Sequence, residues 1–245
     1  MKNRLKYLFT LLGITTYLLT SCNTSTQEDV PNQLTSQEKE DGWQLLFDGT
    51  SLEGWHLYNR GEVPSAWTVQ NGELYCQPIF DTTAHGDLVS DQAFKNYELA
   101  FEWKISEGGN SGVFINVLER EDIPTTWSSG PEYQLLDKAH PDYEMSPAKR
   151  PGTLFNFYPP LNPVEPKPAG EWNQSRIKQV DGKVEFYLNG VLTAQEDFNS
   201  DHWKESVASS GFKTFPEFGK HIEGHIALQD WSKGISFRNL KIKTL

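Results

Sequence analysis

Residues 130–137 read GPEYQLLD, and three of these eight side chains can do chemistry. Glu132 and Gln134 stand two apart, and Asp137 follows three further on. A carboxyl group can take or give a proton, and an amide can hold a hydroxyl-rich ligand. In a strand, alternate side chains point to opposite faces, so Glu132, Gln134 and Leu136 share one side, and Tyr133 and Leu135 the other. Asp137 then points with Tyr133, unless a bulge re-aims it. With a bulge, Glu132, Gln134 and Asp137 line one concave surface. The competing reading is a solvated strand face followed by a turn aspartate.

The elements around this octapeptide are mostly β. YELAFEWKI alternates cleanly, with Tyr97, Leu99, Phe101, Trp103 and Ile105 on one face and Glu98, Ala100, Glu102 and Lys104 on the other. SGVFINV is a short apolar run that ends near Asn116. KVEFYLNGVLTAQ reads as a hairpin, because Asn189-Gly190 supplies the two positive φ angles of a tight turn, and Asp181-Gly182 forms a similar turn before it. HIALQD and ISFRNLKIKTL supply closing strands. One helix is expected at SDHWKESVAS, capped by Ser200 or Asp201. Many short strands separated by Gly, Asn and Asp turns imply an all-β fold, an antiparallel two-sheet jelly-roll sandwich. The stretch 140–170 contains PPLNPVEPKP, too rich in proline for a sheet interior, and is expected to be a long loop beside a site.

The chain has 245 residues, a formal net charge of −11 and 13% aromatic residues. Such an acidic balance argues against nucleic acid as a partner, since phosphates recruit Lys and Arg. The aromatic share fits a β core or a site that stacks on sugar rings. Residues 1–21 read as a targeting segment: Lys2, Arg4 and Lys6 precede the apolar YLFTLLGITTYLLT. Leu19-Thr20-Ser21-Cys22 resembles the lipobox of bacterial lipoproteins. That resemblance implies lipidation of Cys22, a membrane contact through the lipid alone, and a place in the bacterial cell envelope. Residues 22–41 then read as the lipidated cysteine and a polar tether, and 42–245 as a single domain. Cys76 is the other cysteine, so no intrachain disulfide is expected to hold the mature fold.

From residue 42 onward the chain resembles the family once called domain of unknown function 1080, now the 3-keto-disaccharide hydrolase domain. The resemblance rests on LLFDGTSLEGW, WTVQNGELYC, GDLVSDQAFKNYELAFEWKISEGGNSGVFINV, GPEYQLLD, GEWNQSRIKQVDGKVEFYLNG and GHIALQDWSKGISFRNLKI, in that order. It implies a concanavalin-like jelly roll with its ligand in the concave face, acting on glycosides whose sugar carries a ketone at carbon 3. EYQLLD is also loosely similar to the E-x-D-x-x-E strand of glycoside hydrolase family 16, with an amide for the central acid and Asp for the last Glu. A 3-ketone acidifies the proton on carbon 2. A base removes it, the group on carbon 1 leaves by elimination, and water adds back. A divalent metal is one way to hold the ketone and the 2-hydroxyl; no cofactor is certain.

Within that frame Glu132 is the first candidate for the base, with orientation of sugar hydroxyls as its other role. Asp137 and His140 are the other catalytic candidates, His140 as base or metal ligand. Gln134, Asn116, Lys104, Arg150, Tyr158, Gln229 and Trp231 are candidates for substrate contact. Asp137 could equally cap the DKAHPD turn, and Lys104 could pair across strands. Relatives often read LQDHG where this chain has Trp231, and often carry arginine where it has Asn116. A non-catalytic carbohydrate-binding module of the same fold is the alternative function; it would need aromatics and amides but no proton-handling group.

Overall fold

The computed structural model describes residues 30–61, 63–77 and 84–245. The targeting segment and Cys22 lie outside the described residues. Among those residues no helix is long and apolar enough to cross a membrane.

The all-β sandwich is present. Eight strands form the back sheet: β1 (Trp43–Leu45), β3 (Trp67–Gln70), β4 (Glu73–Cys76), β6 (Tyr97–Ile105), β9 (Asn173–Val180), β10 (Lys183–Leu188), β11 (Val191–Asp197) and β13 (Ile235–Thr244). Their order is β11-β10-β9-β6-β13-β4-β3, with β1 also on β13. Five strands form the front sheet in the order β2 (Trp55–Leu57), β5 (Leu88–Phe94), β12 (Gly224–Leu228), β7 (Asn110–Val117), β8 (Glu132–Leu136). These pairings are antiparallel. Neighbours in each sheet are often distant in sequence, as a jelly roll requires.

The clean alternation of β6 is the reason it holds the centre of the back sheet. Its apolar face is buried, and Glu98, Ala100, Glu102 and Lys104 are half-buried on the far side. Phe101, Trp103, Ile177, Phe186 and Phe237 of the back sheet meet Val113, Ile115, Tyr133, Leu135 and Leu228 of the front sheet in one apolar layer. Burial of such side chains stabilises by roughly 1.5–3 kcal/mol each. Two polar tips in this layer share one partner: Trp103 Nε1 donates to Ser175 Oγ at 2.9 Å, and Tyr133 Oη reaches the same oxygen at 2.7 Å. The hairpin turn at 189–190 has φ of 47° and 83°, the left-handed pair that Asn-Gly supplies at low cost. The expected helix is α3 (Asp201–Ser209), following α1 (Ser36–Glu40) and α2 (Pro141–Met145), and Ser200 Oγ accepts from Trp203 N at 3.0 Å as its cap.

Two details differ from the sequence reading. The stretch 32–41, assigned to a tether, is docked. Asn32 Oδ1 accepts from Asn239 N at 2.8 Å, Asn32 N donates to Asn239 Oδ1 at 2.6 Å, and Asn32 Nδ2 donates to Gly72 O at 2.7 Å. The ladder of β13 with β6 shifts register between Arg238 and Lys241, so one buried amide fills the gap there. α1 follows with a capping box between Thr35 and Glu38, and Lys241 pairs with Glu38.

The second concerns Asn116. Alternation would put it on the Phe114 side, the outer face. Instead its φ is +56°, and the register of β7 with β12 slips there: His225 faces Val117 but Ala227 faces Phe114. This bulge turns Asn116 into the sandwich, where its amide exchanges two hydrogen bonds with Gln179 of β9, at 2.8 and 3.0 Å. Gln179 Nε2 also donates to the carbonyls of Lys95 and Ile222. Asn116 therefore ties the two sheets together and does not reach a ligand. Gln179→Leu should lower unfolding free energy by about 2–4 kcal/mol, because several buried polar groups lose partners at roughly 1–3 kcal/mol each. Urea unfolding measures it; a loss under ~0.5 kcal/mol would show that water replaces the bridge.

Candidate active site on the front sheet

Tyr133 and Leu135 point into the core, so Glu132 and Gln134 are left on the outer face of β8, as alternation requires. One row of residues crosses the inner face of the sheet. Leu88, Leu228, Val113 and Tyr133 are opposed strand by strand. The neighbouring positions Asp87, Gln229, Gly112 and Gln134 form the next row, with Gln229 N donating to Gly112 O at 2.9 Å. Glu132 lies over Gly112, where a Cβ would overlap its carboxyl. Glycine is needed here for space, since its φ is not in the left-handed region.

Above Glu132 and Gln134 is a pocket of ≈ 210 Å³. Asn110 and Gln229 supply its other polar groups, and Trp127, Phe155, Phe212 and Trp231 its walls, with Asp142 at the rim. Trp231 is 62% exposed, a flat surface at the mouth. Trp127 is held edge-on against Phe215, with ring centres 4.8 Å apart. Residues 152–155 run along the free edge of β8, with Gln134 N donating to Thr153 O and Phe155 N to Glu132 O, and so bring Phe155 to the pocket.

The polar floor is under-satisfied. The carboxyl of Glu132 has no hydrogen-bond donor among the described residues, although the residue is 9% exposed. Gln134 is buried and its Nε2 has no partner; the buried Oε1 of Gln229 has none either. Buried polar groups are nearly always paired, so three open positions in one pocket point to a polar ligand. Burial holds the Glu132 carboxyl well above the usual carboxylate range, and the negative charge of Asp87 adds to this.

A second pocket of ≈ 330 Å³ adjoins the first and shares Trp127, Gln229 and Trp231 with it. Asp87 is at its base. Asp87 Oδ1 accepts from Asp230 N at 2.9 Å, and Oδ2 accepts from the Thr126 hydroxyl. Burial raises its carboxyl to about 6 despite the Thr126 and Asp230 donors. Asp230 accepts from Gly86 N at 3.0 Å, with His85 Nδ1 3.1 Å from the same oxygen. Together the two pockets fall within the usual size range of small-molecule sites, ~300–1,000 Å³.

The structure thus brings together Glu132, Gln134, Gln229 and Trp231. It places the other candidates elsewhere. β8 has no bulge, its register with β7 running unbroken from Phe114–Glu132 to Asn110–Leu136. Asp137 therefore turns to cap the next turn, accepting from Gly108 N at 2.6 Å and Ala139 N at 3.0 Å. His140 caps α2, its Nδ1 accepting from Asp142 N at 3.2 Å. Lys104 is on the outer face of the back sheet, 2.6 Å from Glu73 and over the Trp172 ring. Arg150 stacks on Tyr143, and Tyr158 bonds to Ser206 and His202. Sequence reasoning missed Asp87, Asn110, Trp127 and Phe155. Asp87 stands in GDLVSD, and only its register beside Gln229 identifies it. Among the described residues no group of three or more His, Cys, Asp or Glu side chains could hold a metal ion.

Residues 42–243 match the model of the 3-keto-alpha-glucoside-1,2-lyase-like domain family. The chain is 31% identical over 230 residues to a Bacteroides thetaiotaomicron protein named 3-keto-disaccharide hydrolase, covering 84% of this chain and 79% of that one. It superposes with a TM-score of 0.81 on a crystal structure of a "putative glycosyl hydrolase" from Parabacteroides distasonis, at 31% identity, covering 88% of this chain and all of the other. A second protein of that organism shares the fold at a TM-score of 0.62 and 22% identity, over 83% of this chain and 99% of its own.

A carboxyl that is neutral in the fold and ionised when unfolded works against stability as pH rises. The contribution is complete below 4.5 and is lost as pH climbs toward the raised folded value. Glu132→Gln should accordingly melt with the parent at pH 4 and several degrees above it at pH 8. Equal melting temperatures at both pH values would mean that Glu132 is solvated.

Proposed function

We propose that this chain, which belongs to the 3-keto-alpha-glucoside-1,2-lyase-like domain family, is a carbohydrate-active hydrolase that cleaves 3-keto-glycosides by elimination and rehydration in the outer-face groove of its front sheet. Family membership and the relative named a 3-keto-disaccharide hydrolase support the substrate class. The observation that carries the reading is the Glu132 carboxyl, open to the pocket with no donor beside it and raised by burial. A binding module has no use for such a group, whereas proton transfer near neutral pH requires one.

The walls suit a saccharide. Trp127 and Trp231 offer flat faces to the apolar sides of sugar rings, and the open amide groups of Gln134 and Gln229 offer a donor and an acceptor to hydroxyls. A sugar bound here would displace water and fill the positions that the fold leaves unpaired. Oxidation at carbon 3 makes the carbon 2 proton acidic enough for a positioned carboxylate to remove it.

Purified protein incubated with methyl 3-keto-glucoside should release methanol, and methyl glucoside should remain intact. Glu132→Gln should lose roughly 10²–10⁴ in kcat/KM, the usual worth of a general acid or base. Gly112→Ala, which displaces that carboxyl without touching the core, should lose activity and still fold. Turnover of the plain glucoside, or no turnover of keto-sugars with retained binding, would overturn the reading in favour of an ordinary glycosidase or a binding module. A parallel incubation with chelator reports on metal.

The lipobox-like Leu19-Thr20-Ser21-Cys22 supports a place in the bacterial cell envelope, with the domain held there by lipid on Cys22. Cys22→Ser should move the protein from the membrane fraction to the soluble one; an unchanged distribution would refute the anchor.

A further inference from the structure

Asp87 and Glu132 are two carboxyl groups in one groove with opposite surroundings. The Glu132 carboxyl lies over Gly112 of β7, and Asp87 stands immediately before β5. Only β12, with Gln229, separates Gly112 from Asp87. Two strand spacings are about 10 Å, a gap that one sugar ring fills. The two pockets meet at Trp127, Gln229 and Trp231, so one ligand can touch both groups.

Their donors differ. Asp87 receives one hydrogen bond from the backbone of Asp230 and one from the hydroxyl of Thr126, and both favour the carboxylate. Glu132 receives none and is buried, which favours the neutral acid. With one proton between the two, it resides on Glu132. The other ionisable groups around Asp87 are Asp230, itself bonded to Gly86 and near His85, the Cys76 thiol, and the Tyr58 and Arg60 side chains in the same pocket.

We propose that Asp87 is the base that removes the proton from carbon 2, and that Glu132 is the acid that protonates the departing oxygen on carbon 1. The assignment rests on the 3-keto-glycoside reading above and divides its labour. Asp87 takes the carbon 2 proton, and the electron pair of that bond passes into the ketone as an enolate. The enolate returns its pair to form the double bond between carbons 1 and 2. The bond from carbon 1 to the leaving oxygen breaks, and that oxygen takes the proton of Glu132. Water then adds to carbon 1 and gives a proton to the Glu132 carboxylate, while Asp87 returns its proton to carbon 2. Both groups end as they began, and the net change is hydrolysis. A carboxylate near 6 is well matched to its task at neutral pH.

The test separates the two proton transfers. Parent, Asp87→Asn and Glu132→Gln are incubated in D2O with methyl 3-keto-glucoside, and loss of the carbon 2 proton signal is followed by NMR beside cleavage. Cleavage of 4-nitrophenyl 3-keto-glucoside, whose leaving group needs no acid, is measured in parallel. Asp87→Asn should lose carbon 2 exchange and cleavage of both substrates by about 100-fold or more. Glu132→Gln should keep exchange and stay within about tenfold of the parent on the nitrophenyl substrate, yet lose the methyl glycoside by about 100-fold. Thr126→Val is the guard against a folding defect. Removing one donor from the Asp87 carboxylate should move the rising limb of the exchange rate to higher pH, which a purely structural role would not do. The opposite pattern between the two variants, or equal loss of exchange in both, would overturn the assignment and leave the hydrolase reading standing. No turnover of either substrate by the parent would sink both.

Discussion

Tyr133 spans the sandwich from β8 to the back sheet. Its hydroxyl meets Ser175 Oγ at 2.7 Å and donates to the carbonyl of Tyr187 at 2.9 Å, and its ring packs edge-on against Phe101 and Phe186. These contacts fix the register of β8. Strand side chains alternate, so a slip by one residue would drive Glu132 into that aromatic layer and expose Tyr133. Burying an ionisable group there without a partner would cost several kcal/mol. The outward aim of Glu132 and Gln134 therefore follows from how strongly their neighbours belong inside. The site is the other face of the core, and its geometry inherits the rigidity of the packing beneath it.

What the packing permits, the groove spends. An unpaired carboxyl, an open amide nitrogen and an open amide oxygen in one pocket oppose folding by desolvation. The fold tolerates them because its apolar layer is large. Elsewhere many buried polar groups are joined, such as Asn116 to Gln179, Trp103 to Ser175 and Trp203 Nε1 to Gly219 O at 2.7 Å, although the Tyr97 and Ser232 hydroxyls are not. Three open polar positions gathered in one hollow are arranged for a ligand that completes them.

The β class and the outer position of Glu132, Gln134 and Gln229 were legible from alternation, since period two is a local property of the chain. Turns at 181–182 and 189–190 were legible because Asp-Gly and Asn-Gly carry their conformation with them. Three things were not. The run SGVFINV is apolar throughout, so nothing in it marks the bulge that turns Asn116 inward. β6 alternates cleanly, but alternation does not say which sheet a strand joins, and Lys104 falls on the back of the wrong one. Asp87 precedes its strand in an unremarkable stretch. It becomes visible only when β12 brings Gln229 and Asp230 beside it, Asp230 from 143 residues away, a register that no local pattern encodes.

The second wall of the groove shows how such a distant arrangement is held. Trp127 and Thr126 lie on a short turn, so their positions depend on the segment before it. Tyr58, at the end of β2, donates to the carbonyls of Leu118 and Ile123 at 2.8 and 3.0 Å. Asn59 adds a bond from its backbone to Glu119 and others from its amide to Arg120 and Ile123. His56 lies between Asp91 and Glu119, 2.6 and 2.7 Å from their oxygens. Burial pushes the Tyr58 phenol up to about 12, so it remains a donor through the neutral range. These bonds join β2 and β5 to the 118–128 loop and so fix the hydroxyl that reaches Asp87. A groove residue set by a loop is only as well placed as the loop's own anchors, and here the anchors are side chains of the sheet edge that makes no contact with the ligand pocket around Glu132.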